Sequence, residues 1–190
     1  MREIALHLLD IAENSAAAES QTITIQVHED LLNDRLSAYV IDDGRGMDAE
    51  TTQRVQDPFY TTRTTRNVGL GIPLLKLAAE QAEGRFSLQS EPGKGTRLEA
   101  EFRHSNIDKM PLGDLASTFL TVLISHPEID WTFTYQVTEQ DSQSRNFVFE
   151  SAELKSELQD VSLTEPEVLT FVRGMIEEGV ESVALQTVAE

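Results

Sequence analysis

The sequence predicts an α+β fold, a two-layer α/β sandwich whose mixed or antiparallel sheet carries its helices on one face, plus a C-terminal α+β extension. Three observations predict it. The elements over the first hundred residues run helix, strand, strand, helix, strand, strand, an order that layers helices on a sheet. The apolar period switches between helical and two-residue spacing from one segment to the next. Composition then shifts near His104, separating residues 1–104 from an acidic region, 105–190, expected to pack on the first.

Each element has its own signal. Ile4, Leu8, Leu9, Ile11 and Ala12 have helical spacing and predict an amphipathic helix to about Glu19. Thr22 to Val27 alternates at period two, a half-buried strand, and a turn at Leu31–Asp34 leads to a second strand, Leu36–Ile41. A short helix over 48–56 has Asp48 as its cap. A further helix runs from about Ile72 to Ala82, with Pro73 in its first turn and Gly84 ending it. Arg85–Ser90 and Arg97–Phe102 flank a turn at Glu91–Gly95 and read as a hairpin. Beyond His104 the pattern gives a helix from Leu112 to Ser125, then a strand from Trp131 to Val137 paired with Phe147 and Phe149. Helices over Ala152–Leu158 and Glu165–Glu178 follow.

Composition narrows the function classes. The chain has no cysteine, which excludes disulfides, zinc thiolates and iron–sulfur clusters held by its own residues. No apolar run approaches the ~20 residues of a membrane span, and Glu3, Asp10 and Glu13 do not suit a signal peptide. The expected address is the cytoplasm. The net charge is −18, with 11 basic and 17 acidic side chains in residues 1–104 against 4 and 16 in residues 105–190. Such a surface repels phosphate backbones, so nucleic acid is not an expected partner. The acidic second half reads first as a solvated surface and second as a contact for a basic protein partner.

Four clusters carry chemistry. In Asp10-Ile11-Ala12-Glu13-Asn14-Ser15, positions 10 and 14 share a helix face. The Asn14 amide oxygen suits Mg²⁺, a hard ion that takes few protein ligands beside nucleotide phosphates. The Asp10 carboxylate could orient or deprotonate an attacking water. Alone, the pair reads as a polar stripe on a surface helix. In Asp42-Asp43-Gly44-Arg45-Gly46-Met47, at a strand end, Asp42 can accept from an adenine 6-amino group while Gly44 and Gly46 let the backbone pass close to the base. A polar site of this kind rejects guanine by roughly 10⁴-fold. Gly44-x-Gly46-x-x-Ala49 also satisfies a dinucleotide fingerprint, but Pro58 and a threonine-rich loop follow where that motif needs a long helix. The third cluster is Asp57-Pro58-Phe59-Tyr60-Thr61-Thr62-Arg63, and the fourth is Val68-Gly69-Leu70-Gly71. Glycines just before a helix bring backbone N–H groups and the positive helix end to phosphates, with Arg63 and Arg66 adding charge across a lid-like segment. Thr96, at a strand start, could reach the base pocket.

Asp10…Asn14 resembles the N box of the Bergerat-fold (GHKL) ATPases, Asp42-x-Gly44-x-Gly46 their G1 box and Gly69-Leu70-Gly71 their G2 box. Asp57 to Thr62 resembles the F box of sensor histidine kinases, and the hairpin Ser90-Glu91-Pro92-Gly93-Lys94-Gly95-Thr96 looks like the same kinase domain. The resemblance covers residues 1–104 and implies the Bergerat ATP-binding fold, with ATP and Mg²⁺ as cofactors. It assigns Mg²⁺ ligation to Asn14 and adenine recognition to Asp42. Nucleotide contacts are expected from Gly44, Gly46, Met47, Phe59, Thr61, Thr62, Arg63, Gly69, Leu70, Gly71 and Thr96. The whole chain also resembles small stand-alone ATP-binding proteins encoded beside iron-only hydrogenases.

Departures from the pattern bear on activity. Asp10 stands where hydrolysing members carry Glu, Ala17 where sensor kinases often carry Lys, and Asn67-Val68-Gly69 where Gly-Thr-Gly is usual. None of His7, His28, His104 and His126 precedes an acid and a proline as a kinase acceptor does, so each reads as incidental, and self-phosphorylation is not expected of a chain that begins at the N box. The expected function is a regulatory kinase acting in trans or an ATP-switched regulator. The alternative is a stand-alone ATPase with Asp10 as base.

Overall fold

The computed structural model describes residues 3–57, 71–159, 161, 163 and 165–184. Ile4–Ala17 form helix α1 because Ile4, Ala5, His7, Leu8, Ile11, Ala12 and Ser15 make one continuous buried stripe. Glu3 gives this helix no side-chain cap. Its first N–H groups, those of Ile4 and Ala5, donate instead to the carbonyls of Pro111 (3.0 Å) and Leu112 (2.8 Å), far along the chain.

Strands β1 (Thr22–Asp30) and β2 (Arg35–Asp42) follow, then helices α2 (Ala49–Arg54) and α3 (Gly71–Gln81) and the hairpin β3 (Arg85–Glu91) and β4 (Gly95–Arg103). The second half supplies α4 (Leu115–Ser125), β5 (Asp130–Thr138), β6 (Ser144–Glu150), α5 (Ser151–Leu158) and α6 (Pro166–Val183). All six strands join one mixed sheet in the order β3-β4-β2-β1-β5-β6. Only β1 and β5 are parallel, in register from Thr22–Asp130 to Asp30–Thr138. Residues 105–190 therefore extend the sheet of the first half rather than building a second one.

The alternation expected from sequence sets the faces. Ile23, Ile25 and Val27 point with Leu36, Ala38 and Val40, with Leu98, Ala100 and Phe102, and with Trp131, Phe133 and Tyr135 into a single core beneath α1, α3, α4 and α6. On β5 and β6 that core is aromatic, with Phe119 of α4 stacked on Phe133 at 4.6 Å and edge-on to Phe149 at 5.4 Å. The other face presents Thr24, Gln26, Tyr39, Arg97, Thr132 and Thr134 and carries no helix among the described residues. At the end of β1 a buried carboxylate, Glu29, joins both halves: it accepts from Tyr135 Oη (2.6 Å) and pairs with His104 Nε2 (2.8 Å). Burial pushes its pKa up, but these two bonds outweigh it and hold the group below the usual carboxylate value.

Some boundaries differ from the sequence reading. Helix α4 begins at Leu115 rather than Leu112, because Gly113 turns the chain at φ +81° and the Asp114 carboxylate caps the Ser117 N–H at 2.8 Å. Helix α6 runs to Val183, past its two glycines, and at Gly179 the Phe147 ring fills the space a side chain would need. Gly84 does not end α3 by adopting the left-handed conformation. That residue is Glu83 (φ +53°), and Glu83 N–H and Gly84 N–H close back on the carbonyls of Glu80 and Ala79. Gly84 is glycine because a Cβ would overlap the Glu101 carbonyl.

Candidate nucleotide site

Helix α1 sets the order of the site. From Asp10 to Ser15 is five residues, about 7.5 Å along a helix axis. At the Ser15 end lies Asp42, the last residue of β2, paired with Ile23 on one side and Thr96 on the other and turned toward the helices. It is only 9% exposed. Its Oδ2 accepts from Ser15 Oγ at 2.6 Å, and its Oδ1 accepts from the N–H groups of Gly44 (3.0 Å) and Thr96 (3.1 Å). A carboxylate offers about four lone-pair sites. Three are taken and one is open among the described residues.

The neighbouring carboxylate has a different task. Asp43 accepts from Gln21 N–H, Thr22 N–H and Thr22 Oγ1 at 2.8–2.9 Å and so fastens the start of β1. Burial opposes its charge, but the bonds from Thr22 and Gln21 win and depress its pKa. The loop after it packs against the β3–β4 turn. Gly46 (φ +63°) would overlap the Glu91 carbonyl with any Cβ, and Gly95 (φ +84°) the carbonyl of Asp42 itself. Met47 N–H donates to Ser90 Oγ at 2.8 Å, and that hydroxyl also lies 2.9 Å from both the Gly95 carbonyl and Thr96 Oγ1. Asp42, Gly44, Met47 and Thr96 thus belong to one hydrogen-bonded unit, with Gly46 packed against it.

At the other end of the site Gly71 opens α3 directly against Asp10, whose Oδ2 occupies the place of a Cβ on Gly71. Asn14, half-buried, stands one turn beyond Asp10 and next to Ser15. Beside Asp10 on the same helix, His7 is 1% exposed, and its Nδ1 has no hydrogen-bond partner among the described residues. Burial pushes the imidazole pKa down, against the opposing pull of the Gly71 backbone and the Asp10 charge. Phe59, Thr61, Thr62, Arg63, Arg66, Gly69 and Leu70 lie outside the described residues.

The donor set fits a nucleotide-borne metal better than a protein-held one. Among the described residues no group of three or more His, Cys, Asp or Glu side chains could hold a metal ion, so Mg²⁺ here would rest on the Asn14 amide oxygen and phosphate oxygens. A groove at the far end of β2 and β4 has no such spare capacity. Its Arg35 pairs with Glu101, which also holds Arg85, and its Arg103 pairs with Asp34 and Glu83. Among the described residues no helix is long and apolar enough to cross a membrane.

Sequence reasoning missed Ser15 and Ser90. Ser15 follows Asn14 on the buried stripe of α1, which was a usable signal. Ser90 had none beyond its place in the hairpin.

The chain is similar to known proteins over its first half. The family of histidine kinase-, DNA gyrase B- and HSP90-like ATPases matches residues 1–106. The sensor protein kinase FleS of Pseudomonas aeruginosa is 38% identical over 89 residues, 47% of this chain and 22% of that protein. Sensor histidine kinase ZraS of Klebsiella oxytoca is 32% identical over 95 residues, covering 50% and 20% respectively. A putative sensor protein of Shewanella frigidimarina is 29% identical over 103 residues, covering 54% and 15%. The chain therefore spans less than a quarter of the length of these relatives. In fold it is similar to the crystal structure of the N-terminal domain of a DNA repair protein, with a TM-score of 0.51 at 12% identity over 77% of this chain and 52% of the other.

Proposed function

Because this chain belongs to the histidine kinase-, DNA gyrase B- and HSP90-like ATPases, we propose that it binds Mg·ATP between α1 and the β2–β4 strand ends and works as a regulatory kinase acting in trans or an ATP-switched regulator. The observation that carries this reading is the Asp42 carboxylate, buried, held by Ser15, Gly44 and Thr96, and left with one acceptor position among the described residues. In this reading Asp42 accepts the adenine amine, and the first turn of α3 meets the phosphates with its N–H groups and helix dipole. Bound Mg²⁺, held by Asn14, supplies neutralisation of phosphate charge.

The regulatory part of the reading rests on what else α1 touches. Its first amides are tied to Pro111 and Leu112, and Glu13, beside Asn14, pairs with His126 at 3.0 Å where α4 ends. A movement of α1 on nucleotide binding would reach residues 105–190 through these contacts, and their acidic surface is the proposed site for a protein partner. The stand-alone ATPase reading is favoured by one observation, the Asp10 carboxylate against Gly71 at the start of α3.

Labelled Mg·ATP incubated with wild type and Asp10→Asn, beside a binding control, separates the two. Bound, intact ATP supports the regulator. Steady phosphate release by wild type and none by the variant makes the protein an ATPase with Asp10 as base. Failure of wild type to bind ATP would sink both.

A further inference from the structure

We propose that Ser90 is a positioning residue that sets the base specificity of the site, acting through the hydroxyl of Thr96. The proposal rests on the Mg·ATP reading and adds a residue to it. Asp42, Thr96 and Ser90 stand opposite one another on β2, β4 and β3, so their side chains share the face that carries the helices. Thr96 is the middle member. Its N–H donates to Asp42 Oδ1 at 3.1 Å, and its Oγ1 lies 2.9 Å from Ser90 Oγ.

The proton in that last contact is assigned by what else Ser90 touches. A serine hydroxyl has one proton to give and two lone pairs to receive with. Met47 N–H can only donate, and at 2.8 Å it takes one lone pair. The Gly95 carbonyl can only accept, and at 2.9 Å it takes the proton. One lone pair is left, so the contact with Thr96 Oγ1 is closed by the threonine's own proton. The Ser90 hydroxyl is then fully used, and Thr96 has no proton to offer elsewhere.

The consequence falls on the base. The Asp42 carboxylate only accepts, and Thr96 beside it presents lone pairs alone. Two acceptors side by side suit a 6-amino group and leave a 6-oxo group without a donor from either residue. A site whose polar groups are left unpaired by the wrong ligand discriminates strongly. Without Ser90 the threonine hydroxyl could turn its proton toward an oxygen, and that discrimination would weaken.

The test compares Mg·ATP with Mg·ITP, which carries an oxygen in place of the 6-amino group. Affinities are measured by calorimetry or competition for wild type, Ser90→Ala and Ser90→Thr, with thermal midpoints recorded for each. We expect the preference for ATP over ITP to narrow about tenfold in Ser90→Ala, the scale of one hydrogen bond gained or lost. Ser90→Thr, which keeps the hydroxyl, should restore the wild-type ratio. In a Thr96→Val background, with no hydroxyl to orient, Ser90→Ala should leave the ratio where it stands. If the alanine variant fails to fold, Ser90→Cys, a weak donor and acceptor, gives the same readout. A variant that loses ATP and ITP in equal proportion has lost only a structural contact, and that outcome overturns the proposal. So does wild-type protein that binds the two nucleotides alike. Wild-type protein that binds neither overturns the Mg·ATP reading instead.

Discussion

Asp42 and Asp43 are adjacent, yet Asp42 ends β2 facing the helices while Asp43, just past the strand, ties down the start of β1. Asp42→Asn keeps the shape but replaces one acceptor oxygen with a donor facing Ser15, Gly44 and Thr96. We expect ATP affinity to fall by about 1–3 kcal/mol, and Ser15→Ala, which removes one orienting donor, to cost about 1 kcal/mol, both by calorimetry. Unchanged affinity in the first variant would mean that the base is read elsewhere. His7 predicts a pH effect on stability. Its folded pKa lies below the ordinary 6.5, so below pH 6.5 the unfolded chain takes up a proton that the folded chain refuses. Its contribution is complete above pH 6.5 and is lost as pH falls toward the folded pKa. Urea midpoints measured across that range should fall less steeply with acid in His7→Leu than in wild type.

Among the elements, α1 and α3 show how much of a helix depends on distant chain. The period of α1 was legible, but its start is closed by carbonyls more than a hundred residues away, which no local pattern encodes. The end of α3 was expected at Gly84. Glu83 takes the left-handed conformation there, and the glycine beside it is reserved for close approach to β4. Gly84→Ala should therefore destabilise the fold by about 1–3 kcal/mol through forced backbone movement. Asp114→Ala, which removes the cap that starts α4, should cost about 1 kcal/mol. Denaturant unfolding checks both. Equal stability of Gly84→Ala and wild type would show that β4 can yield.

For the whole molecule the parallel pairing of β1 with β5 and the shared core predict one cooperative unfolding transition. Mg·ATP should raise its midpoint as a unit, because a ligand that binds only the folded state stabilises everything that unfolds with its site. Two thermal transitions, with only one responding to ATP, would contradict this. Tyr135→Phe tests the joint directly. Losing that hydroxyl leaves Glu29 short of a donor and should lower the single midpoint by the equivalent of about 1–3 kcal/mol.

The sequence by itself determined the layer architecture, the order of the described helices and strands, and the carboxylate Asp42 between a strand and two glycines, since periodicity and turn chemistry are local. Tertiary structure alone decided where β5 enters the sheet, what closes the start of α1, which donors surround Asp42 and that Asp10 lies against Gly71. Those are contacts between segments remote in the chain, and a side chain's partners across a core are fixed by packing, which one-dimensional pattern does not record.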